Sequence, residues 1–383
     1  MDSVMGFLQS TMLVERLYGV AAYVLSLGYY FNKIQNAKNT KRIDKYLNHY
    51  LIILCILAFF YIPGQSADLS RWREIAKPWG KAGFGWFWEN YVITSTAPVG
   101  YLLVYLCQLT GIDGILPMVC ALGFFGNVFH MIKCEAKREN VNADSVAMTV
   151  LLVMASGVFL EVISGVRSML AFSIVIRCVY DEMRLGKKIL FHIPFYVIAV
   201  LLHPAAMPLV GIRLVCLLLE KKRSPILMFI NMLFVLMSIL IALRIGIDYI
   251  DAAFAKAKSY TSHNVYSYAW EYIIAAIGIL LIISIVYKLK RCYPNEWLET
   301  KNSGRYLILI LAYTLVFFRT YTIFQRFFSV SMISSIPVAM TLFSCENMNG
   351  RWKKRRQVVL TLLVMLLLAC TRGNLCGYKF FYL

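Results

Sequence analysis

The chain has 383 residues, of which 60% are hydrophobic and only 15% charged, and its mean hydropathy is +0.66. So little polar surface excludes a water-soluble globular protein and places the chain among polytopic membrane proteins. A formal net charge of +19 would point to nucleic acid in a soluble protein. Here the Lys and Arg residues fall mainly in short loops between apolar runs, without an aromatic-interleaved basic groove or a zinc knuckle. The charge therefore serves orientation and headgroup contact, and no nucleic-acid partner is expected.

The expected fold class is all-α, a polytopic transmembrane helix bundle forming one integral membrane domain over 1–383. The first apolar run begins near Met12 and lacks the basic start and cleavage site of a secretory leader, so it is expected to be a retained first span. Candidate helices follow near 16–31, 47–63, 97–111, 114–132, 145–163, 168–183, 189–203, 204–219, 225–243, 270–288, 306–318, 324–343 and 357–371. If all of these crossed, the loops after the second and fourth would share a side and later basic clusters would alternate badly. The segment 97–111 is short, begins with Pro98 and Gly100, and follows a loop rich in Trp and Gly. A re-entrant or interfacial helix there repairs the alternation and leaves twelve crossings with an outer amino terminus. The loops on the inner side then carry 24 of the 39 basic residues.

This topology gives the outer face an extracytoplasmic loop over 64–96 and a core Arg/His segment over 164–207. Arg167 lies at an outer turn, and two crossings later the chain returns outward to His203. Asp68 lies in the outer loop, and Arg319 and Arg326 flank the outer turn "FFRTYTIFQRFF". Intramembrane ionisable residues are costly and by default mark sites. The bland readings are arginines snorkelling to outer headgroups and a histidine bonded to a neighbouring helix. The orientation rule disfavours several arginines on that side. Glu161, six residues before Arg167, is a candidate salt-bridge partner or a second acid. Pro204 and Pro208 break "LLHPAAMPLV" and make it a cavity-lining segment. The aromatics of "WGKAGFGWFWENY" are expected in the interfacial belt, with sugar stacking as the other reading. Neither the ten cysteines nor the five histidines show metal-ligand spacing, and no metal or cofactor is expected.

Arginine grips phosphate through several donors at once. Several arginines beside a membrane cavity fit a lipid pyrophosphate, with a histidine or carboxylate as general base on an acceptor hydroxyl. That chemistry is glycosyl transfer, with the diphosphate leaving as an anion held by arginine.

At these residues the sequence resembles the EpsG/Wzy-type polysaccharide polymerases. The similarity lies in "SGVRSMLAFSIVIRCVYDEMRLGKK" followed by "FYVIAVLLHPAAMPLV", with "GQSADLSRW" before it and "FQRFFSV" after it. Ser164 stands where Asn is common, and Pro204 follows the His where a polar or basic residue is usual. The resemblance implies a bacterial inner-membrane enzyme with its active site facing the periplasm. It would join undecaprenyl-pyrophosphate-linked repeat units into exopolysaccharide or O-antigen, alongside a chain-length regulator and a flippase. Arg167, His203, Arg326 and Asp68 are the matched positions. His203, Arg167 and Asp68 are then the catalytic candidates, with Asp68 positioning acceptor sugar or His203. Arg319, Arg326 and Glu161 are the candidates for binding pyrophosphate or sugar. The rival readings are a flippase for the same lipid, for which no second copy of the Arg/His segment is present, and a membrane O-acyltransferase acting on polysaccharide.

Overall fold

The computed structural model describes residues 2–63, 68–138, 141–219, 269–348 and 352–371, and in these residues it is all helix. The expected run at 225–243 lies outside them. Helices α1 (Asp2–Gln35) and α2 (Thr40–Phe59) open the chain, and four short helical pieces follow: α3 (Asp68–Ala76), α4 (Trp79–Ala82), α5 (Phe84–Phe87) and a π-helical turn at Trp88–Val92. Next come α6 (Pro98–Gln108), α7 (Ile115–Ala136), α8 (Ala143–Ala155), α9 (Val158–Ser164), α10 (Val166–Arg184), α11 (Ile193–Leu202) and α12 (Met207–Leu219). Beyond residue 268 lie α13 (Ala269–Cys292), α14 (Pro294–Val316), α15 (Tyr321–Ser334), α16 (Ile336–Met348) and α17 (Trp352–Thr371).

Local chemistry sets the helix ends. The side chain of Asn39 accepts the Arg42 amide at 2.9 Å and that of Asn142 accepts the Ser145 amide at 2.8 Å, each satisfying a donor that a helix start leaves orphaned. Proline occupies the first turn of α6, α11 and α14, where its missing N–H costs nothing. The runs expected at 145–163 and 324–343 each break into two helices. They bend by 51° between α8 and α9, where Gly157 takes φ +79°, and by 46° between α15 and α16.

Among the described residues, two helices are long and apolar enough to cross a membrane, Ile115–Ala136 and Tyr272–Cys292, or up to four if each bent pair is one span. Shortness keeps α11 and α12 below that criterion, since α11 has 10 residues and α12 has 13. In α10, the charges Arg167, Arg177, Asp181, Glu182 and Arg184 interrupt the apolar run.

The helix α7 lies against α2 on one side and α10 on the other, and its Phe124, Phe125 and Phe129 are fully buried. Lipid is as apolar as these side chains, so close packing and internal hydrogen bonds hold such a bundle together. Polar contacts gather at one end. Lys137 pairs with Asp44, Arg138 with Glu299, and Lys288 with Glu346, which joins the ends of α2, α7, α13, α14 and α16. Arg184 grips Glu135 with two bonds of 2.8 and 2.7 Å, and Tyr180 adds a third to the same carboxylate at 3.0 Å. Arg213 and Tyr196 hold Glu182, each at 2.7 Å. These pairs are buried, so the "DEMR" turn supplies structural links as well as orientation charge.

The opposite end fixes the course of α6. A side-chain carbon added to Gly114, just before α7, would lie 2.3 Å from the Phe59 carbonyl oxygen at the end of α2. Arg73 of α3 donates to the Asp113 carbonyl at 2.9 Å. A carbon added to Gly100, in the first turn of α6, would lie 2.4 Å from the Leu202 carbonyl. The start of α6 thus lies by the end of α11 and the residue before α7 by the end of α2, and with 11 residues α6 spans only about 16 Å.

Candidate functional site

Four elements from distant parts of the chain meet at that end: α3, α6, the start of α10 and the first half of α15. Arg167 occupies the first turn of α10, two residues after Gly165. Its guanidinium carbon lies 3.6 Å from the centre of the Trp72 ring and 5.4 Å from that of Tyr101. Trp72 is buried and Tyr101 meets it edge-on with ring centres 5.2 Å apart, so the stack is backed from behind. The Nε and Nη1 atoms of Arg167 are buried and have no hydrogen-bond partner. A buried polar group without a partner normally costs about 1–3 kcal/mol, and more when charged. A cation left in that state suits an anion.

Arg326 lies nearby. A carbon added to Gly165 would sit 3.8 Å from the Nε of Arg326, and the Nη2 of Arg326 reaches the Asp68 carboxylate at 3.5 Å. Asp68 also pairs with Arg71 one turn further along α3, which is half exposed. Two guanidinium groups thus pair with one carboxylate while that of Arg167 stands nearby without one, leaving the cluster with excess positive charge.

His203 ends α11 in an extended conformation, with φ −158° and ψ +117°, and caps the single turn Pro204–Ala206. Its Nδ1 accepts the Ala205 amide at 3.2 Å. With Nδ1 engaged as an acceptor, a neutral ring carries its hydrogen on Nε2, so in this conformation His203 is a donor. Gly100 brings this segment to the arginine. The point a side-chain carbon would occupy there is 2.4 Å from the Leu202 carbonyl and 2.9 Å from the Nη1 of Arg167. Only glycine allows the close approach.

The structure therefore assembles Asp68, Arg167 and Arg326 and brings the His203 turn alongside. Arg319 is exposed in the turn between α14 and α15, and no hydrogen bond or ion pair joins it to that group. The expected pairing of Glu161 with Arg167 is absent, because no carboxylate lies within ion-pair distance of Arg167 among the described residues. The peptide oxygen of Glu161, not its side chain, takes part in the turn before α10, accepting the Gly165 amide at 2.8 Å. Sequence reasoning missed Trp72, Arg71, Tyr101 and Gly100. The legible signal was the spacing in "DLSRW", which puts Asp68 and Trp72 one helical turn apart on one face.

The sequence profile of the EpsG family matches residues 83–380, more than three quarters of the chain. The chain belongs to the EpsG family. It is accordingly a membrane protein of the polysaccharide-polymerase type, and the family suggests a lipid-linked oligosaccharide as substrate. No curated protein and no solved structure matches the chain. Arg167, His203 and Arg326 lie within the stretch matched to the family. Asp68, Arg71 and Trp72 precede it.

Proposed function

We propose that this EpsG-family chain joins oligosaccharide repeat units carried on undecaprenyl pyrophosphate, on the outer face of the bacterial inner membrane. The observation that carries the reading is the pair of buried donors of the Arg167 guanidinium, Nε and Nη1, that have no partner among the described residues, set beside Arg326 in a cluster with excess positive charge. Arg167 and Arg326 hold the diphosphate of the chain being transferred, and charge building on that leaving group is stabilised by donors already in place. Arg319, exposed in the turn before α15, draws the anion in from the headgroup layer.

In the transfer, the bond between the anomeric carbon and the diphosphate oxygen breaks, and the acceptor hydroxyl oxygen forms the new glycosidic bond. The lipid diphosphate departs with the electron pair of the broken bond, and the acceptor hydroxyl gives its proton to Nδ1 of His203, the general base. His203 as found donates through Nε2 and fits a hydrogen bond to the diphosphate or to a sugar oxygen. To accept the acceptor proton at Nδ1 it would have to release the Ala205 amide. Asp68 keeps Arg326 and Arg71 in register and takes part in acceptor positioning through them. The topology proposed here has twelve crossings with α6 lying in the outer interface.

The test is the size distribution of surface polysaccharide in a strain deleted for the gene and complemented with wild type, Arg167→Ala or His203→Ala. Single repeat units in place of a ladder for the deletion and the Arg167 variant are expected. An unchanged ladder in the deletion strain refutes polymerisation. Loss of all surface glycan, single units included, would instead show a flippase.

A further inference from the structure

The short helix α3 precedes the stretch matched to the family, and only Asp68 of its residues stood out in the sequence. In the structure two of its residues, Asp68 and Trp72, contact the two inner arginines separately. Asp68 reaches Arg326 at 3.5 Å, and the Trp72 ring lies under Arg167 at 3.6 Å. The two arginines are thereby held by different physics. A carboxylate holds an arginine through the N–H groups in the plane of its guanidinium, which are the donors a phosphate needs. An aromatic face holds it from above, through attraction between the cation and the ring quadrupole, and leaves those in-plane donors unspent.

We infer that Trp72 is a positioning residue that holds the Arg167 guanidinium flat by its face, so that its in-plane N–H donors stay available to the diphosphate. This rests on the reading that Arg167 grips the diphosphate. Three observations carry it. The guanidinium carbon sits within stacking distance of the ring, at 3.6 Å. Among the described residues, Nε and Nη1 are buried without a partner and no carboxylate lies within ion-pair distance of Arg167. Trp72 is only 6% exposed and is itself wedged by the edge of Tyr101, so the ring cannot swing aside. Had a carboxylate held Arg167 in place of the ring, it would have taken the in-plane donors that the anion needs. α3 thus separates two tasks, neutralising one arginine through Asp68 and orienting the other through Trp72.

The experiment uses the full-length protein purified in detergent and inorganic pyrophosphate as the probe, with affinity read by isothermal titration calorimetry. The variants are Trp72→Phe, which keeps an aromatic face, Trp72→Leu, which keeps apolar bulk without one, and Arg167→Ala. The Phe variant is expected within about threefold of wild type, and the Leu variant about tenfold weaker, which corresponds to about 1.4 kcal/mol. In polymerisation assays the Leu variant is expected to raise KM for the lipid-linked substrate more than it lowers kcat. Equal affinity of the Phe and Leu variants, whether both are retained or both lost, overturns the inference and leaves Trp72 as packing. Trp72→Met serves as the non-aromatic variant if the Leu protein does not fold. If the wild type takes up no pyrophosphate, or Arg167→Ala binds it like wild type, the reading of Arg167 as the diphosphate residue fails, and the role inferred for Trp72 fails with it.

Discussion

Replacing Gly100 by alanine adds one methyl group at the point where α6, the end of α11 and Arg167 converge. That carbon would stand 2.4 Å from the Leu202 carbonyl oxygen, 2.9 Å from the Nη1 of Arg167 and 3.2 Å from its Cδ. Non-bonded heavy atoms attract best at roughly 3.5–4.0 Å, so the nearest contact falls short by about 1 Å. The obstructing oxygen is backbone and cannot rotate out of the way, and Arg167 is pinned on its other side by Trp72. Either α6 withdraws or the Leu202–His203 turn does. Overpacking of this kind costs about 1–3 kcal/mol, and a displacement near 1 Å at a reacting site can lower a rate by about a hundredfold. The expected result is a melting temperature reduced by a few degrees in the purified protein, with polymer yield reduced far more than the protein level. Gly126→Ala is the control, because nothing lies within 4 Å of a carbon added there and alanine favours the helix by up to about 1 kcal/mol. Wild-type melting and a wild-type ladder from Gly100→Ala would refute the convergence described here.

Glu135→Ala strands the Arg184 guanidinium, whose partner it holds at 2.7 Å with both side chains almost wholly buried. A destabilisation of about 3–5 kcal/mol is expected, read as loss of monodisperse protein after extraction. The double variant Glu135→Leu with Arg184→Met is expected to recover most of it, and no recovery would show that the pair does more than cancel charge. Arg319→Ala is expected to raise KM a few-fold at low ionic strength, with the effect shrinking as salt rises and kcat holding. A fall in kcat would place Arg319 in the reacting site. A cysteine in place of Ala205 is expected to react with a membrane-impermeant thiol reagent in intact cells, while one in place of Lys187 stays protected. The reverse pattern would invert the topology.

Much of the bundle was legible because lipid imposes simple rules on a chain. Runs such as 114–132 and 270–288 had to be helices, since apolar backbone in a bilayer can satisfy its N–H and C=O groups only internally, and the structure places α7 and α13 there. Proline and glycine marked the breaks, and the His203 turn falls beside Pro204 as expected. The short segment at 97–111 stood out through charge alternation in loops far from it, and the structure forms an 11-residue helix there. The bends at Gly157 and Ser335 were not legible, because apolar runs on both sides carry no mark of direction.

The sequence alone determined the class of the molecule, the helical runs and the family resemblance later matched by profile over 83–380, and it led to the expectation that Asp68, Arg167, His203, Arg319 and Arg326 share one face. Those follow from composition and alternation, which are properties of position along the chain. Only the tertiary structure decided which side chain serves which. It stacks Arg167 on Trp72, gives Asp68 to Arg326, separates Glu161 from Arg167, and turns His203 into a cap with its Nδ1 occupied. Such pairings depend on distances of a few ångströms between residues up to 258 positions apart, and the packing of helices against one another fixes them.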